Sequence, residues 1–245
     1  MPNTQTSVPA FTAGQVLTAA QMTEVNTGIP VFATTTTRDA AFGGTGEKTL
    51  SEGQFAYIEA SNTTQYYDGS AWQTLGGGLQ YITGATVTSA TSFSLPNSTF
   101  TSSYRNYRIV WSATFSATGT LTMRLRASGT DVSSANYQNV FAGRLNDNSA
   151  LTVNDAGTTS ATIGYQANSS SQVQGFILDV FSPQLSTFKA FHFSSTTAAA
   201  SGAFIGTVQG GGCLNVTTAC DALSIISSAA SSITGTYRVY GYSDN

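Results

Sequence analysis

The stretch GGTGEKT, residues 43 to 49, has the glycines and the lysine of a phosphate-binding loop, where backbone N–H groups and an ammonium cradle a polyphosphate. Its spacing departs from that chemistry, because Glu47 separates Gly46 from Lys48. The LSEGQFAYIE that follows alternates like a strand, where a phosphate site needs a helix N-terminus. A polar loop is predicted. His192, in AFHFSS, is the only histidine, and a nucleophilic triad needs its imidazole beside one distinguished hydroxyl and one acid. Serines are too abundant to single one out, so a strand histidine with an ordinary hydrogen bond is the expectation. The 12 acidic residues are spread thinly, and no spacing marks the pair of converging carboxylates that glycoside hydrolysis uses. NDN at 146 to 148, with Asn154 and Asp155, offers oxygens to calcium but lacks the acidic density and ordered spacing of a calcium loop. The chain is read as no enzyme, with no cofactor and no metal.

Composition narrows the partners. Charged residues are 9% of the 245, against about 25% in ordinary soluble proteins. Ser, Thr, Asn, Gln and Gly must therefore fill the solvent-facing positions. Net charge is −3 and the basic residues are scattered, which disfavours a phosphate-tracking surface for nucleic acid. No run approaches the ~18 apolar residues of a membrane span, so no membrane insertion is expected. MPNTQTSVPAFTAG has neither the basic start nor the apolar segment of a secretory signal, so synthesis and folding in a cytosol are expected. Cys213 and Cys220 flank LNVTTA after the run Gly210, Gly211, Gly212, a spacing that lets them face each other across a hairpin, while in a reducing compartment two free buried thiols are the expectation.

The elements that would position any site begin with a short helix. In VLTAAQMTEVNTGIP, residues 16 to 30, Thr18 is an N-cap and Gln21 completes a capping box, while Gly28 and Pro30 end the helix. Roughly nine residues are too few for a helix to stand alone in water. Met22, Val25 and Ile29 share a face, with Leu17 before the cap, so the helix packs either on the rest of this chain or, with these four as docking candidates, on a neighbouring protein.

Strands dominate the rest, and the chain reads as all-β. Residues 1–33 form a leading segment with the helix, and 34–78 a small β-hairpin module ending in a glycine linker, Gly76 to Gly78. In that module GQFAYIEA alternates, and TQYYDGSAWQTL carries an Asp68–Gly69 turn between aromatic runs. Tyr66, Tyr67 and Trp72 there are candidates for binding a surface by stacking. Residues 79–245 form an antiparallel β-sandwich of jelly-roll type. Tyr107, Ile109, Trp111, Ala113 and Phe115 share one face of YRIVWSATF. LTMRLRA alternates Leu121, Met123 and Leu125 with Arg124 and Arg126, and SATGT joins the two as neighbours in one sheet. GFILDVF, FKAFHF, ALSII and TYRVYGY continue the series. With only Lys48 and Lys189 to guard strand edges, the edges are expected to be covered by identical neighbours, in a closed homo-oligomer, three-fold by preference.

Several of these pieces, in order, resemble a known group. Gly14 to Met22, Arg38 to Ala41, Gly53 to Tyr57 and Tyr67 to Trp72 are similar to the N-terminal segments of tailed-bacteriophage virion appendage proteins. The region 101–138 and the terminal ITGTYRVYGY resemble the β-sandwich domains of phage tail fibres. The resemblance implies a structural protein of the virion, made in the host bacterial cytoplasm. It would be a tail-associated fibre or receptor-binding appendage, often a homotrimer, anchored to other virion proteins of tail, baseplate or collar and attaching to the host surface, with host glycan as a further partner. It brings no catalytic residues. The alternatives are a capsid or collar decoration protein without host binding and, in a different class, a surface-polysaccharide depolymerase.

Overall fold

In a computed structural model the described residues are 8, 10–19, 21–22, 28–45, 47–76, 78–145, 150–166, 169–198, 204–228 and 231–242. The chain divides into two units, Met1–Gly76 and Gly77–Asn245.

The first unit is built on β1 (Val31–Phe32), α1 (Thr35–Asp39), β2 (Phe55–Ile58), β3 (Thr63–Tyr67) and β4 (Trp72–Thr74), with the strands in sheet order β1-β2-β3-β4. β1 runs parallel to β2 and the remaining pairs are antiparallel. The β3–β4 hairpin closes as its sequence predicts: the Asp68 N–H donates to the Ala71 carbonyl, and Asp68 Oδ1 accepts the N–H groups of Ser70 and Ala71. α1 escapes the sequence reading because its cap is an unusual one. Thr34 Oγ1 accepts the Thr37 N–H, while Thr37 Oγ1 accepts the Thr34 N–H, so threonine fills the place of the usual glutamate or glutamine. This turn swings Ala41 beneath the sheet, where Phe32, Ala41, Ala56 and Ile58 form a small core with Val8, Phe42 and Trp72 packed on it. Ala56 and Ile58 are the inward pair that the alternation of GQFAYIEA marks.

The second unit contains β5 (Leu79–Ala90), β6 (Ser92–Ser94), β7 (Asn106–Phe115), β8 (Gly119–Ala127), β9 (Thr130–Asp131), β10 (Tyr137–Leu145), β11 (Ala150–Thr158), β12 (Ala161–Gln166), β13 (Ser169–Phe181), β14 (Lys189–Ala198), β15 (Phe204–Leu214), β16 (Ala222–Ser227) and β17 (Ile233–Tyr242). One sheet has eight strands in the order β11-β10-β15-β14-β13-β7-β17-β5. The other has five, in the order β12-β8-β16-β6 with β9 on β8. Within this order β5-β17-β7-β13 and β6-β16-β8-β12 are the two four-stranded halves of a jelly roll. Two inserted hairpins, β10–β11 and β14–β15, join the first half and widen it to eight strands. The predicted all-β sandwich is present.

The core lies between the sheets. Ile109 and Trp111 of β7, Phe176 and Leu178 of β13, Leu121 and Met123 of β8, and Ile225 of β16 are all buried there, each burial contributing about 1.5–3 kcal/mol. Trp111 stacks on Phe176 with centroids 4.7 Å apart. The Tyr137 hydroxyl accepts the Leu125 N–H and donates to the Val132 carbonyl, tying β10 of one sheet to β8 of the other.

One expectation is corrected. β7 and β8 are not neighbours in one sheet: they belong to opposite sheets, and residues 116–118 cross between them. Alternation shows that each strand has an apolar face. It does not show whether two such faces lie side by side or opposite one another. Lys189, one of the two lysines, guards no edge. It is fully buried, and its Nζ donates to the carbonyls of Leu185 and Thr187.

Candidate functional site

The N-terminal docking candidates sit on and beside the capped turn of the leading segment. Thr18 and Gln21 make the predicted capping box: the Thr18 N–H donates to Gln21 Oε1 at 3.0 Å, and the Gln21 N–H donates to Thr18 Oγ1 at 3.2 Å. The Met22 N–H then donates to the Thr18 carbonyl, completing one helical turn. Gly28 stands at φ 71°, the left-handed conformation of a helix-closing glycine. Leu17, Met22 and Ile29 are all exposed, Met22 at 54%. Val25 lies outside the described residues.

The aromatic candidates of the hairpin module are drawn into its own packing. The Arg38 guanidinium sits 4.6 Å from the Trp72 ring centroid, while Phe42 and Tyr67 pack on the same tryptophan at 5.9 and 5.7 Å. Tyr66 pairs with Phe55 at 6.5 Å, and Tyr66, Tyr67 and Trp72 are all half-buried. The nearby glycine loop has none of the geometry of a phosphate site: it leads into β2, and Glu47 accepts the Gly44 N–H itself.

The sequence reading missed the outer face of the eight-stranded sheet. In register across it stand Arg238 of β17, Val110 of β7, Ile177 of β13, Ser194 of β14, Gln209 of β15 and Ala142 of β10. Two residues along each strand runs a parallel row of Thr236, Ser112, Gly175, Thr196, Thr207 and Arg144. A groove of about 570 Å³ opens over the β17 to β15 part of these rows. A second, of about 520 Å³, covers the β15 to β10 part, and Thr207 lines both. The first lies within the ~300–1,000 Å³ of small-molecule sites.

Gly175 lowers the groove floor. A Cβ there would meet only Thr196 Oγ1, at 3.9 Å, so the space above is open. Exposed Val110 and Ile177 make an apolar patch beside it, and Ser, Thr and Gln side chains surround them. Arg238 and Arg144 bring the only formal charges among the described lining residues. The apolar signal that could have marked this floor is weak, because Val110 stands among polar outward positions of β7, and Ile177 has Gly175 and Asp179 as its outward neighbours on β13.

A polar lattice fixes the next row. Arg108 donates from Nε and Nη2 to the two oxygens of Asp179, each at 2.7 Å, and the Tyr242 hydroxyl donates to Asp179 Oδ1 at 2.8 Å. Burial pushes the Asp179 carboxyl up, but these hydrogen bonds and the guanidinium charge outweigh it and hold it below its ordinary value. His192 faces Asp179 in register and is exposed. Both cysteines are free, Cys220 buried and Cys213 half-buried. Among the described residues, no group of three His, Cys, Asp or Glu side chains is placed to hold a metal ion, and no helix is long and apolar enough to cross a membrane.

No protein-family model matches the chain, and no curated protein matches it. Among solved structures, a variant fructofuranosidase from Schwanniomyces occidentalis complexed with fructosylnystose aligns with 78% of this chain at 7% identity and a TM-score of 0.22. The match spans 39% of that enzyme's chain. The CBM2 module of the evolved Dit of Lactobacillus casei BL23 phage J-1 aligns over 89% of both chains at 11% identity and a TM-score of 0.21. At such TM-scores neither likeness bears on fold or function.

Proposed function

We propose that this chain is a non-enzymatic structural protein of a tailed-phage virion, a tail-associated fibre or receptor-binding appendage that attaches the particle to the host surface. One observation carries the reading: a jelly roll widened to eight strands presents, on its outer face, an open groove lined by hydroxyls around an apolar floor. The resemblance of the N-terminal segments to virion appendage proteins supports it. So do Leu17, Met22 and Ile29, exposed where a neighbouring virion protein would cover them. The assembly proposed is a homotrimer, in which weak contacts from each copy combine through effective concentration into firm attachment.

The test is competition. Purified full-length protein, added to host cells before the particles, should reduce adsorption in proportion to its coverage of the cells. Unchanged adsorption at saturating protein overturns the reading. Particles lacking the protein that adsorb normally but lose heat stability identify it as a capsid or collar decoration protein. Release of reducing ends from host polysaccharide identifies it as a depolymerase.

A further inference from the structure

We propose that the transverse groove of the eight-stranded sheet takes an extended acidic saccharide, with a ligand carboxylate held by Arg238. This rests on the attachment reading and names the ligand class of its site.

The direction of the groove argues for a chain. From β17 to β10 the two parts together cross five strand spacings of ~4.8 Å, roughly 24 Å in all, and Thr207 lines both. The lining argues for a saccharide. A peptide binds a sheet by pairing with the unpaired backbone at an edge, but this groove crosses strands whose backbone groups are already paired on both sides. Recognition therefore falls to side chains. Ser112, Ser194, Thr207 and Thr236 each both donate and accept, as a polyol requires, while the Thr196 hydroxyl is held by the Gly175 backbone. Val110 and Ile177 offer an apolar floor for the C–H face of a sugar ring.

The charge argues for an acid. Arg238 is exposed, and no carboxylate stands among the described lining residues of either part of the groove. Arg144 adds positive potential at the far end. A planar guanidinium can grip a carboxylate through two parallel hydrogen bonds.

The experiment applies full-length protein to arrays of uronate-containing, sialylated and uncharged oligosaccharides of matched length, then measures the best binder by titration calorimetry. Binding should be confined to the acidic sets and weaken with added salt. Arg238→Gln should lower affinity about tenfold, the loss of a charge-assisted contact. Gly175→Leu should abolish binding by filling the groove, with its unfolding midpoint unchanged. Should that variant fail to fold, Ile177→Asp on the exposed floor should abolish binding by repelling the acid. Binding to no array member, to uncharged members alone, or undiminished in the variants overturns the proposal. Purified protein that still blocks adsorption after the groove is filled leaves attachment standing and removes this assignment alone.

Discussion

The Arg108 guanidinium and the Asp179 carboxylate lie side by side across β7 and β13, joined by two hydrogen bonds of 2.7 Å, with Tyr242 donating a third to the same carboxylate. Asp179 is buried while the Arg108 side chain is one-third exposed, so water screens one end of the pair. These side-chain bonds link β7, β13 and β17 beside the groove.

Asp179→Asn keeps the volume and removes the charge, and should cost about 1–3 kcal/mol in urea unfolding at neutral pH. Since the folded carboxyl titrates below its ordinary 3.8, the stability it contributes is present above that value and lost as pH falls through the folded one. The variant should therefore lose less stability than the parent on acidification below pH 3.8.

The alkaline limb should fall steeply. Burial pushes the Tyr242 hydroxyl up to about 12 and the Cys220 thiol up to about 11. Burial also raises Tyr107, Tyr137 and Tyr237. Each group contributes stability that is whole below its unfolded value, 9.0 for the thiol and 10.0 for the phenols, and is lost as pH rises through the folded value. Lys189, pulled down by burial, works in the opposite direction. Thermal unfolding across this range should show the midpoint falling above pH 9.0, with Tyr242→Phe falling less steeply than the parent.

Two strand glycines should respond differently to the same methyl group. At Gly212 of β15 a Cβ would lie 2.1 Å from the Gln138 carbonyl oxygen and 2.7 Å from the Phe191 ring, so Gly212→Ala should cost about 3 kcal/mol or more. At Gly175 the space is open, and Gly175→Ala should leave stability within about 0.5 kcal/mol of the parent or raise it. Parallel denaturation curves check both.

Leu17→Asp with Met22→Asp should leave the thermal midpoint of the isolated protein unchanged, because both side chains are exposed. Under the docking proposal the same pair should sharply reduce the amount of protein found in purified particles. Normal incorporation, read by quantitative blotting, removes the docking role.

Local signals explain which elements the sequence reveals. The inward faces of β7, β8 and β17 alternate strongly and are found where predicted, the apolar runs of β13 and β16 are strands as expected, and the Thr18 capping box is present. β5, β10, β11 and β15 escape a reading along the chain, since LQYITGATVTSA alternates weakly and FIGTVQGGGCL carries three consecutive glycines that propensity reads as loop. Those glycines instead let β15 run between β10 and β14, close to the Phe141 and Phe191 side chains. The Arg38 to Ala41 and Tyr67 to Trp72 pieces also looked separate along the chain. Folding brings Arg38 over Trp72, whose ring also packs on the small core of that unit.

The sequence alone determined an all-β chain, its capped leading turn, the Asp68 hairpin and the apolar faces of the principal strands, because each depends on residues only a few positions apart. Only the tertiary structure decided that β7 and β8 face each other across the core, that two hairpins widen one sheet, and that Arg238, Ile177 and Thr207 share a groove. Those relations depend on which strands pair, and pairing is set by long-range packing between faces that look alike when read along the chain.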